Sequence, residues 1–177
     1  MTALATLTFL SSPYLRYRIQ RTIYDYNLDQ TTDIATSNGE RLFYWRTSIK
    51  AVAEAPILGH GTGSTARIFA EAAHGKNGEW ANVISNPHNQ TLYVAVEWGL
   101  VGTLVLLAMW FFHLTLFADR SIMAWFGLIV VSQNIVSSLL NSHLFDFNEG
   151  WLYVFGVSAA GAAVRKAHKS VFVPKWA

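Results

Sequence analysis

The hydrophobic pattern divides the chain in two. Trp98 to Ala118 and Ser121 to Ser142 each contain no Asp, Glu, Lys or Arg, and each reaches the roughly 20 residues that cross a bilayer as a helix. A third stretch, Gly150 to Val164, is shorter; it attains spanning length if its helix begins near Leu144 and carries Asp146 and Glu149 at the interface. The pattern therefore predicts three transmembrane helices within residues 91–164. At the other end, "MTALATLTFLSS" is apolar but too short to cross, and it lacks the basic start of a signal peptide. Residues 1–12 read as the last part of a membrane helix or as an interfacial anchor.

Between these apolar regions, residues 13–90 carry helix signals and no disordered composition. In "SNGERLFYWRTSIKAVAEAP", Ser37 and Glu40 stand at capping-box spacing and Pro56 supplies a stop. Leu42, Trp45, Ile49 and Val52 recur at helical spacing, which predicts an amphipathic helix resting on the membrane or on neighbouring helices. The following "PILGHGTGST" holds Gly59, Gly61 and Gly63, which allow a tight turn with exposed backbone amides. A second short helix is expected over Thr65 to Ala73, and "HGKNGEW" reads as an exposed loop.

Composition strengthens the membrane reading, since 52% of the 177 residues are hydrophobic and only 14% charged. Charge then orients it. The segment 165–177, "RKAHKSVFVPKWA", holds Arg165, Lys166, Lys169 and Lys175 with no acidic residue, which marks a basic cytoplasmic tail. Counting back puts Asp119 and Arg120 on the cytoplasmic side. Residues 13–90 and "NSHLFDFNEG" then face outward, as a periplasmic loop region and a periplasmic turn. The net charge of +2 is dispersed, without the concentrated basic face of a nucleic-acid binder.

The sequence also excludes several chemistries. Without cysteine there is neither a disulfide nor a thiolate metal site. The three glycines do not spell GxGxxG, and GK[ST], HExxH and GxSxG are absent. His60, His74 and His88 are too scattered to argue for zinc. No metal and no cofactor is therefore expected.

What remains is a set of outward-facing polar residues: Arg41, Arg46, His88, Asn89 and Glu97. A guanidinium suits a phosphate or diphosphate, and a histidine can accept a proton from a hydroxyl. Each has a plainer reading. Interfacial arginines snorkel to headgroups, and Pro-His-Asn before a helix makes a cap and turn. Glu97, in an apolar helix, calls for a cation or the interface, with an external arginine as the expected partner. Asn134, Ser138 and Asn141 form a polar stripe expected to face the bundle interior. His113 is expected at the cytoplasmic interface, and His143, Asp146 and Glu149 on the same side as His88.

Two passages, "GERLFYWRTSIKAVAEAPILGHGTGST" and "PHNQTLYVAVEWGLVGTLVLL", resemble the O-antigen ligase and O-antigen polymerase family of bacterial envelope polysaccharide assembly. The resemblance implies the carboxy-terminal portion of an all-α integral membrane glycosyltransferase of the C-type, metal-independent, in the inner membrane with its site facing the periplasm. The implied donor is an undecaprenyl-diphosphate-linked glycan. The acceptor is a lipid A core hydroxyl in a ligase, or a second lipid-linked glycan in a polymerase. Carried onto this sequence, Arg41 stabilises the diphosphate and His88 orients or deprotonates the acceptor. Arg46 is a second cation; Trp45, Asn89, Gly61 and Gly63 shape the site; Pro56, Gly59 and Glu97 support it. A non-catalytic membrane fragment or scaffold is the reading of another class.

Overall fold

The computed structural model describes residues 11–31, 36–76 and 84–172. The expected anchor at the amino end, most of the "HGKNGEW" loop and the last residues of the basic tail lie outside them. The described residues form helices and no strand: α1 (Pro13–Thr31), α2 (Ser37–Glu54), α3 (Ser64–Ala73), α4 (Gln90–Leu116), α5 (Ile122–Ser137) and α6 (Phe147–Phe172).

α2 starts one residue earlier in its capping than the sequence suggests. Thr36 is extended, and its hydroxyl accepts from Gly39 N at 3.1 Å, so Thr36 and not Ser37 satisfies the first turn. The helix stops at Glu54, just ahead of Pro56 as expected. Its buried face differs: Tyr44, Ser48 and Ala51 point inward, while Ile49 is 60% exposed. The face is turned by one position because the Tyr44 ring packs on Phe69 of α3 at 4.8 Å. Burial, and then the Glu40 charge, hold the Tyr44 phenol above its ordinary pKa, so it packs as a neutral ring. α1 joins α2 through the buried carboxylate of Asp25, which accepts from Arg21 Nε at 3.1 Å and from Asn38 Nδ2 at 3.0 Å.

α4, α5 and α6 form an antiparallel bundle. Val94, Leu106, Trp110, Phe117, Val131 and Val157 belong to its core. Phe117 lies so close to α5 that a Cβ on Gly127 would sit 2.4 Å from its ring. α5 ends at Ser137, short of the expected Ser142. Its final turn gives way because the Ser138 carbonyl leaves the helix ladder to accept from Gln90 N at 2.9 Å, and Gln90 Oε1 accepts from Leu144 N at 2.9 Å. The polar stripe faces inward as expected: Asn134 is buried and accepts from Trp110 Nε1 at 3.1 Å. His113 also turns inward, 2.7 Å from the Tyr153 hydroxyl, a bond to a neighbouring helix that an interfacial position alone does not predict.

The bundle's outer surface is apolar. Leu104, Val105, Phe111, Phe112, Trp125, Ile129, Leu152 and Phe155 are exposed. α4 is long and apolar enough to cross a membrane, and only 17% of its most apolar stretch is buried, unlike the core helix of a water-soluble fold. One end of the bundle gathers Gln90, Ser138 and Leu144; the other carries Asp119 and Arg120 between α4 and α5.

Candidate functional site

Two assemblies occupy the polar end of the bundle, and the first is a main-chain junction. Within α4, Gly99 adopts φ 58° and ψ −149°, which breaks the helix. The break frees the carbonyls of Val96 and Glu97 and the amides of Leu100 and Val101. Segment 56–61 takes all of them: His60 N donates to Val96 O and Gly61 N to Glu97 O, both at 2.9 Å, while Leu100 N donates to Pro56 O at 2.8 Å and Val101 N to Ile57 O at 3.3 Å. Buried backbone groups need such partners. The two chains touch so closely that a Cβ on Gly59 would lie 2.5 Å from the Glu97 carbonyl carbon, and one on Gly99 would lie 2.5 Å from that of Ile57. At Gly61 and Gly63 a Cβ would meet open space, so it is their left-handed φ, which aims their amides at Glu97, that calls for glycine.

Glu97 is 2% exposed, and its partner is not an arginine. Its Oε1 accepts from Gly63 N at 2.8 Å and from Thr65 Oγ1 at 3.3 Å. Gly63 caps α3, so the carboxylate sits at a helix amino end, where unpaired N–H groups and the helix dipole favour an anion. A helix terminus has done the work expected of a cation. The indole of Trp98 donates to Thr62 Oγ1 at 2.9 Å, and His60 Nε2 donates to Ala51 O at 2.8 Å, which fixes the loop to α2. Replacing Glu97 with Ala would strand the buried Thr65 hydroxyl, release the Gly63 amide and leave a void, at an expected cost of about 3 kcal/mol. Glu97→Gln keeps an acceptor and is expected to cost about 1 kcal/mol. Equilibrium unfolding in detergent distinguishes the two; equal losses would mean that charge and not hydrogen bonding holds the loop.

The second assembly surrounds His88. Asn86 Oδ1 accepts from His88 N at 2.8 Å and from Ser142 Oγ at 2.8 Å, which shapes a turn with His88 at φ 52°. The imidazole Nδ1 lies 3.1 Å from Asn141 Oδ1. Asn141 Nδ2 donates to Asp146 Oδ2 at 3.3 Å. A carboxylate only accepts, so the Asn141 amide nitrogen faces Asp146 and its oxygen faces His88. His88 then donates through Nδ1, and in the neutral ring Nε2 keeps its lone pair.

Asn89 is a clamp: its Oδ1 caps α4 by accepting from Leu92 N at 3.0 Å, and its Nδ2 donates to Leu139 O at 3.1 Å. Trp45 Nε1 donates to Pro87 O at 3.0 Å, which ties α2 to the His88 turn. Arg41 and Arg46 are both exposed on α2, and Arg41 lines a cavity of about 270 Å³ together with Trp45. His143, Asp146 and Glu149 offer ligand atoms within 4.8 Å of one another, a spacing a cation could use, with Glu149 exposed.

The structure thus joins Gly59, Gly61, Gly63, Pro56 and Glu97 in one assembly, and His88, Asn89 and Trp45 in the other. The site expected from the sequence lacks Asn86, Thr65, Ser142 and Gly99, although Gly99 stands in a passage that carries the family resemblance. An Asn-Pro pair signals a side-chain-closed turn, and a glycine inside an apolar run signals a close backbone approach; both signals stood in the sequence.

Comparison with known proteins covers the main-chain junction and the His88 turn, but not Asn141, Ser142 and Asp146. A stretch of 76 residues is 34% identical to a protein of Rickettsia conorii named as a polysaccharide ligase; it makes up 41% of this chain and 18% of that relative. Residues 1–107, from ahead of α1 through the broken part of α4, match the family model described as O-antigen ligase. With more than half of its length matched, the chain belongs to the O-antigen ligase family.

Proposed function

We propose that the chain serves polysaccharide assembly as the carboxy-terminal part of a membrane glycosyltransferase. It moves a glycan from an undecaprenyl-diphosphate donor to a lipid A core hydroxyl. In this reading α4, α5 with its following turn, and α6 cross the inner membrane. Residues 13–90 lie in the periplasm and the basic tail in the cytoplasm. The apolar outer faces of the three helices support it, as does the segregation of polar residues to one end of the bundle.

The observation that carries the chemistry is the chain His88–Asn141–Asp146, which leaves Nε2 of His88 as a proton acceptor. The acceptor hydroxyl forms a bond to the anomeric carbon and gives its proton to Nε2. The bond from that carbon to the diphosphate oxygen breaks, and the charge that develops there meets the Arg41 guanidinium. Such a cation acts most where charge appears in the transition state.

Arg41→Ala in the full-length protein is expected to lower transfer of labelled glycan to lipid A core by roughly 10²–10³-fold. Arg41→Lys is expected to recover only part of the loss, since an ammonium cannot grip a diphosphate with two parallel bonds. Transfer at the wild-type rate in Arg41→Ala would overturn the assignment. Product appearing only as a longer lipid-linked glycan would replace the ligase reading with the polymerase one.

A further inference from the structure

The cavity between α1 and α2 is walled by Thr22, Asn38, Arg41, Trp45 and Leu140, residues brought from α1, α2 and the turn after α5. Its volume of about 270 Å³ lies at the small end of small-molecule sites, on the scale of one sugar ring and not of an oligosaccharide. Most of the wall is apolar, with a few polar side chains at set points, as in small-molecule sites generally. A pyranose has the same division: a face of C–H groups and an edge of hydroxyls.

The fixed groups match that division. Trp45 has its N–H engaged by Pro87 O, so the ring is held in place and borders the cavity as flat apolar surface. Asn38 uses Nδ2 on the buried Asp25 carboxylate, which orients the amide and gives Oδ1 the role of acceptor for a sugar hydroxyl. Position adds a separate argument. Trp45 is bonded to the residue before His88, and Leu140 precedes Asn141, which holds His88. Arg41 lies in the cavity wall. In a transfer reaction the reacting sugar sits between the cation that receives the leaving group and the base that serves the acceptor.

We infer that this cavity is a saccharide subsite for the sugar joined directly to the donor diphosphate, with Trp45 as its platform and Asn38 as a specificity-determining residue. The inference rests on the roles proposed above for Arg41 and His88. The subsite fits a single neutral pyranose and selects among donors by the hydroxyl that meets Asn38.

The test is saturation-transfer NMR on the full-length protein in detergent micelles, with a panel of methyl pyranosides: a neutral hexose, a 6-deoxyhexose and a 2-acetamido sugar. At least one is expected to bind with saturation concentrated on its ring C–H protons, and about tenfold more weakly to Trp45→Leu and to Asn38→Ala. Trp45→Phe keeps an aromatic platform and is expected to retain binding. Asp25→Asn keeps an acceptor for Asn38 Nδ2 and is expected to retain binding; if Asn38→Ala weakens every pyranoside of the panel by the same factor, the role of Asn38 is structural and the specificity assignment falls. Absence of binding by the whole panel, or equal binding by wild type and Trp45→Leu, overturns the subsite. Pyranoside binding is read without turnover, so loss of the subsite with transfer still dependent on Arg41 and His88 condemns this inference alone. Intact binding with transfer indifferent to Arg41 and His88 condemns the catalytic reading instead.

Discussion

Gly99→Ala is expected to destabilise the protein by about 4 kcal/mol. Its backbone, at φ 58° and ψ −149°, lies where residues with a Cβ pay roughly 1–3 kcal/mol. The remainder comes from collision, because the added carbon would lie 2.5 Å from both the carbon and the oxygen of the Ile57 carbonyl. Neither atom belongs to a side chain that can swing away. Relief therefore requires segment 56–61 to lift from α4, which releases His60 from Ala51 and separates Gly63 from Glu97. The α5–α6 pair makes none of these contacts and is expected to persist. Thermal unfolding in detergent reports the loss, and limited proteolysis locates it within residues 56–63. Gly59→Ala meets the same junction from the other side, so the double variant is expected to cost clearly less than the sum of the two. If Gly99→Ala melts with the wild type, the junction does not hold the loop.

His88→Ala is expected to reduce kcat for glycan transfer by roughly 10²–10⁴-fold, the range spanned by loss of a positioned base. Global unfolding is not expected to follow, since Asn86 and Asn89 shape the turn and cap α4 by themselves. Asn141→Leu supplies the finer reading. It keeps the imidazole but removes the acceptor that holds the ring and directs the proton to Nδ1, so a smaller loss in kcat with little change in KM is expected. A variant in which Asn141→Leu binds and turns over like wild type would separate His88 from the Asn141–Asp146 chain. One in which His88→Ala does so would remove His88 from the chemistry.

The parts legible in the sequence are those set by local pattern: the stop of α2 and its start to within one residue, the short α3, the apolar helices and the inward-facing polar stripe. Glu97 was readable as a group in need of a partner, but its partner was not. The carboxylate lies more than thirty positions along the chain from Gly63, and nothing in the spacing distinguishes a helix amino end from a guanidinium. The face of α2 was misjudged by one position because Trp45 and Tyr44 are both large and aromatic. Which one is buried depends on Phe69, a residue of another helix. The tie from His88 to Asn141 is similarly long-range and emerges only when α5 ends early and its turn folds back on Gln90.

That the loop meets α4 through main-chain atoms has a consequence for how this region can vary. Ile57 and Leu58 are exposed; Ile57 contributes its carbonyl and Leu58 the spacing of the segment. Other apolar residues are expected to serve at these two positions, whereas the number of residues between Pro56 and Gly63 is fixed by the hydrogen bonds on either side. Removing a single one would shift every donor past its acceptor, so change at this junction is tolerated in chemical identity and resisted in length.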